Sequence, residues 1–142
     1  MNVMLIHQAV PVLKVADVGA SINWYHDMRG FAGDPFPDLP PYQFANLCHG
    51  KTELMLQYGP ETAARHPKPY RWDVYFRLGG GQLRQLFAKM SSAGVVSRRL
   101  ERMFYGLAEF EITDPDGYVL CLSEELKNMQ DLQMPAESGD DS

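Results

Sequence analysis

The chain has 142 residues, 45% of them hydrophobic and 22% charged, and a formal net charge of −5. This composition is that of a globular protein rather than a fibrous or disordered one. The acidic balance argues against nucleic acid as a partner, because nucleic-acid-binding surfaces concentrate lysine and arginine. The tightest basic cluster, Arg98, Arg99 and Arg102, is short, and we interpret it as ordinary solvated surface.

Neither a membrane segment nor a secretory signal is expected. No apolar run approaches the roughly 20 residues that cross a bilayer, and residues 1–7 lack a basic region followed by a long apolar one. The two cysteines, Cys48 and Cys121, are too few for a disulfide framework. We therefore expect reduced thiols in a cytoplasmic protein without a membrane partner.

The first half of the chain predicts a strand, a helix and three further strands. Asp17 stands at an N-cap position, and apolar residues recur at helical spacing from Val18 to Met28, so a helix should end near Gly30. Phe31–Pro41 contains four prolines, which confines any strand there to a sheet edge. The other strands are expected at Val10–Val15, Tyr42–Cys48 and Thr52–Tyr58, the last two as a hairpin.

The second half repeats this order after a polar linker at residues 59–70. Apolar residues recur at helical spacing from Leu83 to Met90, which predicts an amphipathic helix that ends at Gly94. A turn is expected at Asp114–Gly117, since proline and glycine supply turn dihedrals and aspartates accept from backbone amides. The strands are expected at Trp72–Leu78, Val95–Leu100, Leu107–Thr113 and Tyr118–Ser123.

The order of elements predicts an α+β fold built from two βαβββ modules. The modules occupy about residues 7–58 and 71–125, together in one domain that spans residues 1–128. Each helix needs a sheet to pack on, so the helices should cover the outer face of a curved mixed sheet. The free face would then form a ligand-binding cup. Residues 129–142 are acidic and poor in apolar side chains, and we interpret them as a disordered tail.

Two sequence motifs lie near the beginning and the end of this domain. The first consists of Pro11–Asp17, Ser21, Trp24–Tyr25 and Arg29–Phe31, and the second is Asp114–Gly117 before an alternating strand. Together they resemble the vicinal oxygen chelate superfamily, which includes glyoxalase I, extradiol dioxygenases, and fosfomycin and bleomycin resistance proteins. The resemblance covers about residues 7–125. It implies paired modules that form a cup and two chains that share their sites as a homodimer.

The metal-ligand positions of this superfamily carry unsuitable side chains here. The resemblance places the four ligands, usually histidine and glutamate, at Val10, Gln57, Asp73 and Cys121. Valine cannot bind a metal and neutral glutamine is a weak ligand, so the remaining two fall short of the sets that hold zinc or iron. Cys121 has no histidine placed beside it and is interpreted as a buried apolar residue. We therefore expect a site without a metal or other cofactor.

Strand alternation supplies the rest of the cup wall, since residues two apart share a face. The positions that should lie under the helices are Leu54, Leu56, Val74, Phe76, Phe110, Ile112 and Leu120. The cup should receive the carboxylates of Glu53, Asp73, Glu109 and Glu111. These acids indicate a cationic or aromatic organic ligand. Alternatively, they are solvated charges paired with Lys14 and Arg77. The candidate ligand-binding residues are Gln57, Trp72, Asp73, Tyr75, Arg77, Phe104, Tyr105, Glu109, Glu111 and Cys121.

Three hypotheses of function follow. The leading one is a metal-independent protein that binds a small organic molecule by sequestration, similar to bleomycin resistance proteins. The rival is an enzyme of the same superfamily, either a lyase, isomerase or dioxygenase with altered ligands or an acid–base catalyst that uses Glu109, Glu111 or Asp73. The third is a member that acts only through protein contacts.

Overall fold

The computed structural model describes residues 4–59 and 67–128. The chain divides into two units, Met1–Ala63 and Ala64–Ser142, and this boundary falls inside the predicted linker. Residues 60–66 of that linker and the predicted tail, residues 129–142, lie outside the described residues. The grouping of both units into one domain stays a prediction, as does a cup formed by both sheets together.

The first unit is a βαβββ module. Its elements are β1 (Val12–Val15), α1 (Val18–Arg29), β2 (Ala32–Phe36), β3 (Phe44–His49) and β4 (Thr52–Tyr58). The sheet order is β1-β4-β3-β2, in which β1 runs parallel to β4 and the other pairs are antiparallel. Strand β2 contains Pro35 and lies at an edge of the sheet, as predicted for this proline-rich stretch.

Helix α1 begins and ends where the sequence predicts. The Asp17 carboxylate accepts a hydrogen bond from the Ala20 amide at 3.0 Å, and Gly30 ends the helix with a left-handed φ of 76°. The buried residues of α1 recur at helical spacing: Val18, Ser21, Tyr25 and Met28. The amphipathic pattern read from the sequence is therefore confirmed.

The second unit repeats the module. Its elements are β5 (Val74–Arg77), α2 (Leu83–Ser92), β6 (Val96–Arg102), β7 (Leu107–Thr113) and β8 (Val119–Glu125), followed by a short 3-10 helix (Leu126–Asn128). The sheet order is β5-β8-β7-β6, with β5 parallel to β8. Two open, mixed four-stranded sheets, each with one helix, confirm the predicted α+β class. None of the helices in the described ranges is long and apolar enough to span a membrane.

Each sheet turns an apolar face toward its helix. Phe110 of β7 contacts Phe87 of α2, with ring centroids 5.2 Å apart. Phe76 is half-buried, and the other strand residues predicted to lie under the helices are buried: Leu54, Leu56, Val74, Phe110, Ile112 and Leu120. The predicted alternation is confirmed at these positions, so their immediate neighbours along each strand point to the opposite face.

The turn at Asp114–Gly117 joins β7 to β8 as predicted. Asp114 Oδ1 accepts hydrogen bonds from two backbone amides of the turn, both at 2.9 Å. Gly117 has a φ of 87°, a conformation that residues with a Cβ atom disfavour. This turn sets the strand pairing that places Glu111 opposite Cys121.

Glu124 of β8 holds the N-terminus of α2, which has no side-chain cap from its own N-cap residue. Its buried carboxylate accepts from the amides of Gly81 at 2.5 Å and Leu83 at 3.2 Å. We expect Glu124→Ala to lower the free energy of unfolding by about 1–3 kcal/mol, because both amides lose their acceptor. The control, Glu125→Ala, removes an exposed surface pair with Lys127 and should cost less than about 0.5 kcal/mol. Urea denaturation measures both, and equal losses would contradict the capping role.

Candidate functional site

The sheet of the second unit places charged and aromatic side chains on the face opposite α2. Strand pairing aligns one row of residues across this face: Tyr75, Cys121, Glu111 and Arg98. The neighbouring row contains Arg77, Ser123, Glu109 and Glu101. The hydrogen-bonded group on this face is termed the acid–aromatic cluster, and its members are Tyr70, Trp72, Tyr75, Arg98, Glu101, Tyr105, Glu109 and Glu111.

Arg98 is the centre of the cluster. Its Nε donates to Glu111 at 2.7 Å, its Nη1 to Glu101 at 2.9 Å and its Nη2 to Glu109 at 3.1 Å. The guanidinium also lies 4.3 Å from the centre of the Tyr70 ring. Burial alone would lower the pKa of this guanidinium, but hydrogen bonding to Glu111 and its charge outweigh burial and raise the pKa. Only 8% of Arg98 is exposed, so its interpretation as solvated surface is wrong.

Two irregularities in β6 explain why strand alternation did not identify Arg98. The register of β6 against β7 shifts between Val96 and Arg98 and again between Arg98 and Glu101. Such bulges break the period of two on which the face assignment depends. Charge offers a different signal for Arg98. A basic residue on one strand indicates a cross-strand ion pair when the neighbouring strand carries two glutamates.

Glu109 is fully buried, and both of its oxygens accept hydrogen bonds. Oε2 accepts from the hydroxyls of Tyr75 at 2.5 Å and Tyr105 at 2.8 Å, while Oε1 accepts from Arg98. A carboxylate can accept about four hydrogen bonds, and these donors occupy most of those positions. Burial first, and then the hydrogen bond to Glu109, raises the pKa of Tyr75 from 10.0 to about 12. The same two causes raise the pKa of Tyr105. Glu109 therefore acts as a buried anion that orients two neutral phenols.

The raised pKa of Tyr75 predicts a loss of stability in alkaline solution. The folded state holds the phenol neutral, so this stabilisation is fully present below pH 10.0 and is lost as the pH rises through about 12. We expect Tyr75→Phe to show a smaller loss of unfolding free energy between these two pH values than the wild type. Urea denaturation at a series of pH values measures the difference. An alkaline profile that is identical in both proteins would contradict this assignment.

Glu111 is also fully buried, but its two oxygens are used unequally. Oε2 accepts from Arg98 Nε at 2.7 Å, from Trp72 Nε1 at 2.8 Å and from the Tyr70 amide at 3.0 Å. Oε1 is buried and has no hydrogen-bond partner among the residues that the structure describes. Buried acceptors are normally paired, because burial removes water as their donor. The cluster therefore contains an acceptor atom that its own side chains leave open.

Aromatic rings border the buried acids. The rings of Trp72 and Tyr75 lie 4.8 Å apart, and the Arg77 guanidinium lies 5.4 Å from the centre of the Tyr75 ring. Trp72 and Tyr105 are 39% and 43% exposed, so they offer partly accessible surface for stacking. Phe104 follows β6, is 98% exposed and contacts the Tyr105 ring at 4.9 Å. The alternative that Glu109 and Glu111 are solvated charges paired with Lys14 and Arg77 is wrong, because both are buried and pair with Arg98.

The ligand positions implied by the resemblance do not fit a metal ion. Asp73 Oδ2 accepts from a backbone amide of β8 at 2.8 Å. Cys121 is fully buried, as predicted, and burial followed by the charge of Glu109 raises the pKa of its thiol, which disfavours the metal-binding thiolate. Val10 has no donor atom, and Gln57 offers a neutral amide. Within residues 4–59 and 67–128, no three His, Cys, Asp or Glu side chains are grouped so that they could hold a metal.

Gln57 is the candidate residue that belongs to the first unit. It is exposed on β4 and lines an open groove of about 430 Å³ with other residues of the first unit, among them Val12, Gln43, Phe44 and Met55. The register of the sheet places it beside Lys14, which the sequence analysis named as a possible partner of the cup carboxylates. The remaining candidate residues belong to the second unit.

Comparison with known proteins adds a family and a set of similar folds. A family model described as the Glyoxalase/Bleomycin resistance protein/Dioxygenase superfamily matches residues 5–122. No curated protein sequence is significantly similar to the chain. Among solved structures, a bleomycin-binding protein complexed with bleomycin is 21% identical, with a TM-score of 0.59 over 84% of this chain and 99% of that chain.

Two further solved structures have similar folds. The fosfomycin resistance protein FosX from Listeria monocytogenes is 11% identical, with a TM-score of 0.67 over 85% of this chain and 94% of that chain. TioX from Micromonospora sp. ML1 is 18% identical, with a TM-score of 0.63 over 84% of this chain and 100% of that chain. At these identities the likenesses establish the fold and not the ligand.

Proposed function

Because the chain belongs to the Glyoxalase/Bleomycin resistance protein/Dioxygenase superfamily, we propose that it binds a small organic molecule without a metal ion or other cofactor and sequesters it unchanged. The acid–aromatic cluster is the observation that carries this proposal. It stands beside Cys121, where metal-using relatives are expected to have a carboxylate ligand. The cluster replaces a metal site with buried carboxylates and partly exposed aromatic rings.

The chemistry of the cluster suits binding better than catalysis. Trp72 and Tyr105 present ring surface for stacking, and the excess of carboxylates favours a cationic or aromatic ligand. A general base needs a lone pair directed at a substrate proton. The Asp73 carboxylate accepts from a backbone amide, and Glu109 accepts from two phenols and a guanidinium. These contacts disfavour Asp73 and Glu109 as general bases, whereas Glu111 keeps a lone pair at Oε1 that no described residue engages.

Two further properties belong to the proposal. The sheet face of the first unit leaves apolar side chains open, since Val12 is 52% and Phe36 56% exposed, and a homodimer would cover such surface. Sedimentation velocity should therefore find a dimer, and a monomer at all concentrations would contradict it.

Cys48 is an exposed free thiol, which supports a reducing compartment such as the cytoplasm.

Titration with bleomycin tests the function directly, because a protein of similar fold is complexed with it. We expect calorimetry to show saturable binding, with an affinity that excess chelator does not change. The bleomycin that is released should have an unaltered mass. Trp72→Leu should weaken binding about five- to tenfold through lost stacking. The control, Trp24→Leu, makes the same exchange on helix α1 and should leave affinity unchanged. Binding that the chelator abolishes, or a product of altered mass, would refute the proposal.

A further inference from the structure

The contacts of the two buried glutamates differ in one respect. Glu109 accepts hydrogen bonds at both of its oxygens. Glu111 accepts three hydrogen bonds at Oε2, but Oε1 accepts none from the described residues. Both residues are 0% exposed, so water access does not account for the difference. A buried carboxylate oxygen without a donor is unfavourable unless a ligand, or a water that a ligand displaces, completes its hydrogen bonding.

The charges around this oxygen favour a cationic donor. One guanidinium, that of Arg98, serves three carboxylates, those of Glu101, Glu109 and Glu111. Two of these acids are fully buried, where an uncompensated negative charge is costly. A protonated amine or amidinium beside Oε1 would supply a hydrogen bond and a compensating charge together.

A short segment before β5, residues 70–72, contacts Glu111 and reaches the surface. Tyr70 donates its backbone amide and Trp72 its indole N–H to Glu111 Oε2, while their side chains are 56% and 39% exposed. The segment therefore reaches from the buried carboxylate to the surface. Tyr70 has a φ of 65°, in the left-handed region that a residue with a large side chain disfavours. The segment beside Glu111 therefore holds a residue in a disfavoured backbone conformation.

From these observations we infer that Glu111 Oε1 selects the ligand by accepting a hydrogen bond from a cationic N–H group, an amine or an amidinium. Arg98 is a positioning residue, because its Nε engages Oε2 and leaves Oε1 for the ligand. The inference rests on the proposed ligand-binding function and adds the chemical group that the site selects.

A matched pair of small probes tests this selection. Benzamidine is a planar aromatic cation, and benzamide is its neutral counterpart of nearly the same shape. We expect the wild type to bind benzamidine at least about tenfold more tightly than benzamide, because the amide N–H of benzamide is a neutral donor whereas the amidinium adds a positive charge to its hydrogen bond. Equal binding of the two probes, or binding of neither, would overturn the inference.

Two variants separate the role of one oxygen from the effect of overall charge. Glu111→Gln should reduce the preference for benzamidine to about twofold or less. Glu109→Gln removes the same formal charge from a carboxylate whose oxygens are both engaged, and it should reduce the preference clearly less than Glu111→Gln does. An equal loss in both variants would assign the preference to charge alone and overturn the role of Oε1.

A measurement on the wild type keeps the test valid if Glu111→Gln does not fold. The indole N–H of Trp72 donates to Glu111, so its NMR signal reports on that carboxylate, and Trp24 is an internal control. Benzamidine should shift the Trp72 signal and benzamide should not, whereas an unmoved Trp72 signal would overturn the inference. Bleomycin binding by a protein that does not distinguish the two probes would refute the role of Glu111 and leave the proposed function intact.

Discussion

Arg98→Met should lower the free energy of unfolding by about 3–5 kcal/mol, because it leaves buried carboxylates without their cation. Arg98 is 8% exposed and its guanidinium contacts Glu109 and Glu111, both of which are 0% exposed. Methionine retains much of the side-chain volume, so the loss reports charge and hydrogen bonds rather than a cavity. Urea denaturation at neutral pH measures it.

The matched control for this result is the next residue along β6. Arg99 is exposed, so Arg99→Met should change the free energy of unfolding by less than about 0.5 kcal/mol. A second exchange tests the mechanism. Adding Glu111→Gln to Arg98→Met should cost about 1–3 kcal/mol less than the sum of the two single effects, because it removes a charge that the first exchange leaves unpaired. Equal losses for Arg98→Met and Arg99→Met would show that the buried network does not stabilise the fold.

Phe110→Ala should be comparably destabilising, by about 3–5 kcal/mol, through the cavity it creates. Phe110 is 0% exposed and packs edge-to-face on Phe87 at a centroid distance of 5.2 Å. It is the residue between Glu109 and Glu111 on β7, so its anchorage against α2 also directs both carboxylates to the opposite face. Thermal and urea unfolding should both detect the loss.

Phe104→Ala is the matched control, because it makes the same exchange at an exposed position. Its ring is 98% exposed, and its removal should change the free energy of unfolding by less than about 0.5 kcal/mol. A loss of more than 2 kcal/mol in Phe104→Ala, or of less than 1 kcal/mol in Phe110→Ala, would contradict the assignment of the two faces.

Much of the candidate site could be anticipated from the sequence, because strand alternation is a local rule. It selected Tyr75, Glu109 and Glu111, and the structure brings these residues together on one sheet face. Arg98 and Tyr70 escaped this rule. Arg98 lies between two register shifts, and Tyr70 precedes β5 and hydrogen-bonds to Glu101 and Glu111, which are distant in sequence. Neither position follows a period that a sequence window can detect.

The sequence by itself determined the two βαβββ modules, the caps of α1, the turn at Asp114–Gly117 and the apolar faces under the helices. Each of these depends on residues within a few positions of one another, where propensity and periodicity act directly. Only the tertiary structure decided that Arg98 is buried and that Glu111 Oε1 has no donor among the described residues. Those features depend on strand register, on bulges and on burial, which side chains far apart in the chain establish together.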